Sequence, residues 1–154
     1  MKNLRHAACI VCGKTHQPTP SLTTCTACGG ILEIVYDYPA IAAMVDAETM
    51  AARKDPTMWR YREFLPIEET SSTEGLRVGG SPLYHARNLG KLLGKPHLYI
   101  KDDGLNPTSS LKDRASAMAV VKATEAAADN IAGSSTGNAA SSLAGHAAAP
   151  GLKA

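Results

Sequence analysis

All four cysteines of this 154-residue chain fall within its first 28 positions, as Cys9-Ile10-Val11-Cys12 and Cys25-Thr26-Ala27-Cys28, with twelve residues between the pairs. Two residues between thiolates let a tight turn aim both sulfurs at one ion. A second such turn completes the tetrahedron that zinc accepts without geometric strain. Gly13, Gly29 and Gly30 follow the pairs, where such turns need permissive backbone angles. Two disulfides, a redox dithiol, or iron in the same sulfur cage are the alternatives. Residues 1–8 lack the apolar core of a secretory signal, which argues against disulfides. A redox dithiol is one pair opening a helix rather than two matched pairs in a loop-rich segment. Iron stays open beside zinc. Four thiolates leave no open coordination position, so the metal is expected to be structural. Structural zinc supplies on the order of 10–16 kcal/mol to segments too small to fold on apolar burial alone.

Two further segments carry residue types suited to chemistry. The first is NPTSSLKDRA at 106–115. Its plainer reading is a helix start, with Ser110 and Asp113 as a loose capping box. Lys112 fits that reading poorly, because a cation in the first turn opposes the positive end of the helix dipole at a cost of a few tenths of a kcal/mol. A lysine amine in its neutral form attacks carbonyls and takes up protons. The second segment is SSTGNAA at 134–140. Any one of its small polar residues is an ordinary helix cap. Together they present several hydroxyls and backbone N–H groups to one spot, a nest suited to a carboxylate or phosphate.

The elements that must position these loops follow from pattern. Residues 31–36 read as a strand, 40–54 as weakly helical, and Pro56 as a second helix start, with Trp59, Phe64 and Leu65 as the large apolar side chains. Residues 68–80, rich in Glu, Ser, Thr and Gly, read as a linker. Alternation predicts a strand over 97–103. Leu111, Ala115, Met118 and Ala119 then place an apolar stripe on a helix running to about Ala127. A short strand through Ile131, the 133–137 loop and an alanine-rich helix ended by Pro150 and Gly151 complete a strand-loop-helix repeat, the pattern of a parallel α/β sheet. In such sheets ligands sit beyond the carboxyl ends of strands, which is where both loops fall. The expected organisation is a zinc-ribbon-like segment over 1–36, a helical and linker extension over 37–80, and an α/β catalytic part over 81–154.

Composition narrows the functional classes. With 44% hydrophobic and 19% charged residues and a formal charge of +2, the chain is of globular type and has no clustered basic surface for nucleic acid or an anionic membrane. It has no run of apolar residues long enough to span a bilayer, and a cytoplasmic protein is expected. His85, His97 and His146 are given no role, and His6 and His16 lie near a cage that four cysteines already fill.

Taken together, NPTSSLKDRA, SSTGNAA and the upstream Gly80-Ser81-Pro82-Leu83 resemble the fold type II pyridoxal-phosphate enzymes; with four cysteines in front, they most resemble the threonine synthase family. The resemblance implies an N-terminal zinc ribbon followed by the first part of a tryptophan synthase β-like parallel-sheet fold. It implies pyridoxal 5'-phosphate carried covalently on Lys112, Asn138 bonded to the phenolic oxygen of that cofactor, and Ser135, Thr136 and Gly137 holding the carboxylate of a small amino-acid substrate. The implied reaction turns O-phosphohomoserine and water into threonine and phosphate, in a protein that forms homo-oligomers when complete. Cysteate or cysteine synthases and threonine/serine dehydratases are the related alternatives, and a non-catalytic zinc-ribbon module is the alternative from another class. Leu111, Ala115 and Ala139 depart from the family pattern, which favours Phe, Gly and a hydroxyl residue there. No two of the 13 glycines are separated by one residue, so the Gly-rich phosphate loop of the family does not occur. The chain is therefore expected to be an N-terminal fragment that turns over nothing alone.

Overall fold

The computed structural model describes residues 3–19 and 21–154. Met1, Lys2 and Pro20, which the sequence reading assigned to the ribbon segment, lie outside the described residues. The chain divides into two compact units.

The first unit holds the described residues up to Asp55, together with Trp59–Thr73 and Val121–Ala128. Strands β1 (Leu4–Cys9), β2 (Thr15–His16) and β3 (Leu32–Tyr36) form an antiparallel sheet in the order β2-β1-β3. Register is set by pairs such as Ala7↔His16 and Ala7↔Ile34. Only Ala7 and Cys9 of this sheet are buried. The helix expected over 40–54 is two short ones, α1 (Tyr38–Met44) and α2 (Ala47–Ala52). The break has a local cause: Asp46 turns its carboxylate onto Thr49 N–H at 2.7 Å and starts a new helix, as Asp37 does for α1 through Ala40 N–H at 3.1 Å. The helix expected after Pro56 is a pair of 3₁₀ turns over Met58–Phe64, kinked at Tyr61. Glu63 in this stretch takes both Arg53 guanidinium nitrogens at 2.7 and 2.6 Å, and Asn3 Nδ2 donates to the carbonyls of Glu63 and Leu65. Burial opposes ionisation of Glu125, but Lys122, the Ser71 hydroxyl and the Glu68 amide outweigh it and hold the carboxyl below its usual range.

The second unit comprises Pro56–Met58, Glu74–Val120 and Asp129–Ala154. Its strands β4 (Leu83–His85) and β5 (Tyr99–Lys101) pair antiparallel, with Tyr84 opposite Ile100. The sequence pattern predicts a parallel sheet from the strands at 97–103 and through Ile131; β4 is a strand it does not predict, and it pairs with β5. A parallel ladder needs strands of successive strand-helix units side by side, and among the described residues the parallel pairing is a single bridge, Asn130↔Lys153, supported by Ile131 N–H on Lys153 C=O at 2.8 Å. Three helices complete the unit: α3 (Arg87–Leu92), α4 (Lys112–Glu125), whose last residues belong to the first unit, and α5 (Asn138–Ala148).

Helix α4 corrects a second expectation. Leu111 is 61% exposed and Ala115 is exposed, while the buried face carries Asp113, Ser116, Ala117, Val120 and Val121. The period of 3.6 is the expected one, but its phase is displaced because two of the buried positions are polar and a hydropathy stripe passes them over. Among the described residues, no helix is long and apolar enough to cross a membrane.

Candidate functional site

Two sites emerge, one in each unit. In the first, Cys9, Cys12, Cys25 and Cys28 bring their sulfurs within 4.8 Å of one another. The cysteines sit at turns that close on themselves: Gly13 N–H bonds Cys9 C=O at 2.9 Å and Gly29 N–H bonds Cys25 C=O at 2.8 Å, with Gly13 and Gly29 at φ +74° and +71°. Gly30 is required for a different reason, since a Cβ there would lie 2.9 Å from Cys9 Sγ.

A tetrahedral ion with bonds near 2.3 Å separates its sulfurs by about 3.8 Å. Cys9–Cys28 at 3.5 Å and Cys12–Cys25 at 3.6 Å are close to that spacing. Backbone N–H groups of Cys12 and Val11 point at Cys9 Sγ and, against burial, lower its pKa to about 6; the Ala27 amide, against burial, holds the Cys25 thiol below its ordinary value. The Gly30 amide favours the Cys28 thiolate too, but the neighbouring sulfurs of Cys12 and Cys9 push that thiol up to about 12. Four thiolates this close repel one another unless a cation sits among them. His16, which the sequence reading set aside, places Nε2 3.3 Å from Cys25 Sγ and so contacts the cluster without being one of its four sulfur donors.

The second site begins at Asn106. Its buried side chain accepts Gly79 N–H at 3.0 Å and donates to Asp103 C=O at 2.9 Å, pinning the start of the lysine loop. Ser109 then adopts φ +57°, a left-handed conformation that costs a non-glycine residue roughly 1–2 kcal/mol. Ser110 Oγ accepts Lys112 N–H at 3.1 Å and caps α4 as expected. Asp113 does not complete the capping box. Its carboxylate, fully buried, accepts Thr108 N–H at 2.8 Å, Thr108 Oγ–H at 2.5 Å and Ser142 Oγ–H at 2.6 Å. Ser142 Oγ is also bonded to Ser116 Oγ at 2.8 Å. The donors around Asp113 outweigh the cost of burial and hold its carboxyl below the usual range. His146 Nε2, 3.4 Å from the same carboxylate, is itself buried and makes no hydrogen bond there.

This network relates the two loops. Lys112 lies four residues before Ser116 on α4, and Asn138 lies four residues before Ser142 on α5. Residues four apart share a helix face, so the Ser116–Ser142 bond sits one turn along each helix from the functional candidate. Lys112 and residues Ser134, Ser135, Thr136, Gly137 and Asn138 are all exposed. Gly137 caps α5 without a side-chain hydrogen bond, and a Cβ added there would meet nothing within 4 Å, so the approach to this helix start is open. Ser135 Oγ accepts Gly137 N–H at 3.2 Å.

A second buttress holds the lysine loop from the other side. Arg114 grips Asp103 with Nε at 2.6 Å and Nη2 at 2.8 Å, and Ser81 Oγ–H donates to the same carboxylate at 2.5 Å. These bonds hold Asp103 far below the normal carboxylate range, Arg114 contributing most and Ser81 next. Asp103, Asp113, Ser142 and His146 are the residues that sequence reasoning missed as members of the site. The i, i+4 spacing of Asn138, Ser142 and His146 was the signal available for two of them.

Comparison with known proteins shows the family. The sequence profile of the family described as "Pyridoxal-phosphate dependent enzyme" matches residues 75–154, the stretch that carries both loops. A threonine synthase from Methanocaldococcus jannaschii is 43% identical over 145 residues, covering 94% of this chain and 35% of that protein. One from Methanosarcina acetivorans is 37% identical over 147 residues, covering 96% and 35%, and one from Synechocystis is 35% identical over 122 residues, covering 75% and 32%. The chain thus spans about a third of the length of these curated relatives. With more than half of its residues matched by that profile, and the buried Asp113 network tying the lysine loop to the helix start at Asn138, the chain belongs to the pyridoxal-phosphate dependent enzymes.

Proposed function

We propose that this chain supplies the cofactor-bearing lysine and the metal centre of a threonine synthase, which forms threonine and phosphate from O-phosphohomoserine and water. The observation that carries the reading is the tie between the two loops, which sets Lys112 and Asn138 each one turn from the same interhelical hydrogen bond. Similarity to three threonine synthases supports the choice of reaction.

Pyridoxal phosphate, when bound, supplies an electron sink for chemistry at the carbons of an amino acid. The residues present fit it: an exposed amine at the start of α4, an exposed amide at the start of α5, and open space over Gly137. Lys112 Nζ would hold the cofactor and, once released by the substrate amine, take the proton from the substrate Cα. Asn138 would hold the phenolic oxygen and so keep the ring in one orientation. The Ser135 and Thr136 hydroxyls would bind the substrate carboxylate, with Gly137 leaving the approach clear, so that Cα faces Lys112. Cys9, Cys12, Cys25 and Cys28 would hold a structural zinc in a ribbon over 1–36, ahead of the extension at 37–80 and the catalytic part from 81 onward. We place the protein in the cytoplasm and expect the complete protein to self-associate.

Two measurements test this. Borohydride reduction of the chain with pyridoxal phosphate, followed by peptide mapping, should label Lys112, and Lys112→Ala should abolish the label without changing the melting temperature, because the side chain is exposed. A label on another lysine instead refutes the assignment. In the complete gene product, threonine release from phosphohomoserine rather than turnover of phosphoserine separates this reaction from cysteate or cysteine synthesis.

A further inference from the structure

Asp113 is a buried acid that this reading does not use. It is adjacent to Lys112 in the chain, and its side chain makes three hydrogen bonds to two other parts of the site. One oxygen takes the Thr108 amide; the other takes the Thr108 hydroxyl and the Ser142 hydroxyl. Thr108 lies in the lysine loop, four residues before Lys112, and Ser142 lies one turn beyond Asn138 on α5. A single carboxylate with no exposed surface therefore joins the loop, the start of α4 and the face of α5 that bears Asn138.

The chemistry of the group matters as much as its place. All three neighbours are donors, and an ionised carboxylate is acceptor-only, so the three bonds are mutually consistent. An Asn there can keep the Thr108 amide on its oxygen only by turning its NH₂ to the two hydroxyls, which must then reverse and accept, so three charge-assisted bonds become weaker neutral ones. Hydroxyls can rotate away, but the Thr108 amide is fixed by the backbone. Thr108 also packs against α5 directly, since a Cβ at Gly145 would approach its Cγ2 to 3.2 Å.

We propose that Asp113 is a positioning residue that fixes the Lys112 loop relative to Asn138, so that amine and amide address one cofactor together. The inference rests on the cofactor reading above. A displacement of about 1 Å between groups that must act on one bound molecule can cost about 100-fold in rate, so a buried clamp between them has a functional consequence beyond stability.

The test is a double-mutant cycle on cofactor binding by the whole chain, read as the dissociation constant for pyridoxal phosphate from the absorbance of the bound form. Asn138→Ala should weaken binding about tenfold in the parent chain, the loss of one hydrogen bond to a charged group. In Asp113→Asn the same change should cost less than about twofold, because Asn138 is no longer held in place. Ser142→Ala, which keeps the carboxylate but removes its hydrogen bond to α5 while His146 stays 3.4 Å away, should lower the coupling in the same way, and it decides the matter if Asp113→Asn fails to fold. A purely structural role lowers the melting temperature of the variants yet leaves the Asn138→Ala factor at tenfold in each background, and that result overturns the inference. If the parent chain gives no reducible adduct at Lys112, the cofactor reading fails and takes the inference with it, whereas additivity with an intact Lys112 adduct defeats the inference alone.

Discussion

Removing the metal should unfold the cysteine segment while leaving the lysine site folded, and the size of the effect follows from how little else holds that segment. Among the described residues of 3–36 the buried apolar side chains are Ala7, Cys9 and Cys25. At about 0.8 kcal/mol per buried carbon, three such small side chains contribute on the order of 2–4 kcal/mol. Ordering a backbone of this length costs roughly 1–2 kcal/mol per residue before hydrogen bonds and solvent are counted. Sheet β2-β1-β3 offsets part of that, but β2 is two residues long and the turns around the cysteines are exposed. A four-thiolate zinc at about 10–16 kcal/mol is therefore the largest single favourable contribution in the segment. Hydrogen exchange at the amides of Cys9, Gly13, Cys25 and Gly29, each bonded within a turn at 2.8–2.9 Å, reads this directly. With one equivalent of zinc these amides should be protected. After a strong chelator their exchange should accelerate at least about 1,000-fold, a loss of roughly 4 kcal/mol or more. The Gly79 amide, held by Asn106, should exchange as before. Unchanged protection in metal-free protein would refute the argument that the cation organises this segment. A coloured protein holding iron would refute zinc while keeping the cage.

Two further predictions concern the second unit. Asp103 and Asp113 are both held below their ordinary pKa, so their contribution is present above the unfolded value near 4 and is lost as pH falls through the folded values; acid unfolding should begin below about pH 4. Asp103→Asn should cost about 1.5–3 kcal/mol at neutral pH in urea titrations and flatten that acid limb, and a variant with the parent's pH profile would count against Asp103 as a titrating support. Gly79→Ala should destabilise the unit by at least about 1 kcal/mol, because Gly79 has φ +89° and a Cβ would come within 2.7 Å of the Met58 backbone nitrogen, where the chain bonds Val78 C=O; a melting temperature equal to the parent's would contradict that geometry.

Features set by local spacing were legible in the sequence. Two Cys-x-x-Cys turns need only a few residues each, and the structure brings their four sulfurs together. The strand at 31–36 and the helices after each loop were legible for the same reason, since period and caps are local signals. Features that depend on a partner were not. The antiparallel partner of β5 lies 16 positions earlier in the chain and carries no mark of strand direction. The phase of α4 was misread because its buried face is partly polar. Asp113 resembled a capping residue until its real partners, Thr108 and Ser142, came within 2.8 Å. His146, passed over as a lone histidine, is buried beside it.

That misreading of α4 exposes the logic of the site. Helices rich in Ala, Ser and Gly bury little apolar area per residue, so their packing energy is a weak guide to how α4 and α5 should sit. Small side chains also let the backbones approach, and only at short range can Ser116, Ser142 and Asp113 bond one another without water between them. The polar network therefore does what a large apolar core does elsewhere. It selects one arrangement, because sliding α5 by a turn would take the Ser142 hydroxyl from a fully buried carboxylate and leave it only the two Thr108 donors, at a cost of about 1.5–3 kcal/mol. An apolar interface of alanines would tolerate such a slide. A site that needs an amine on one helix start and an amide on another to meet the same small molecule does not, which is a physical reason for polar residues at the centre of this unit.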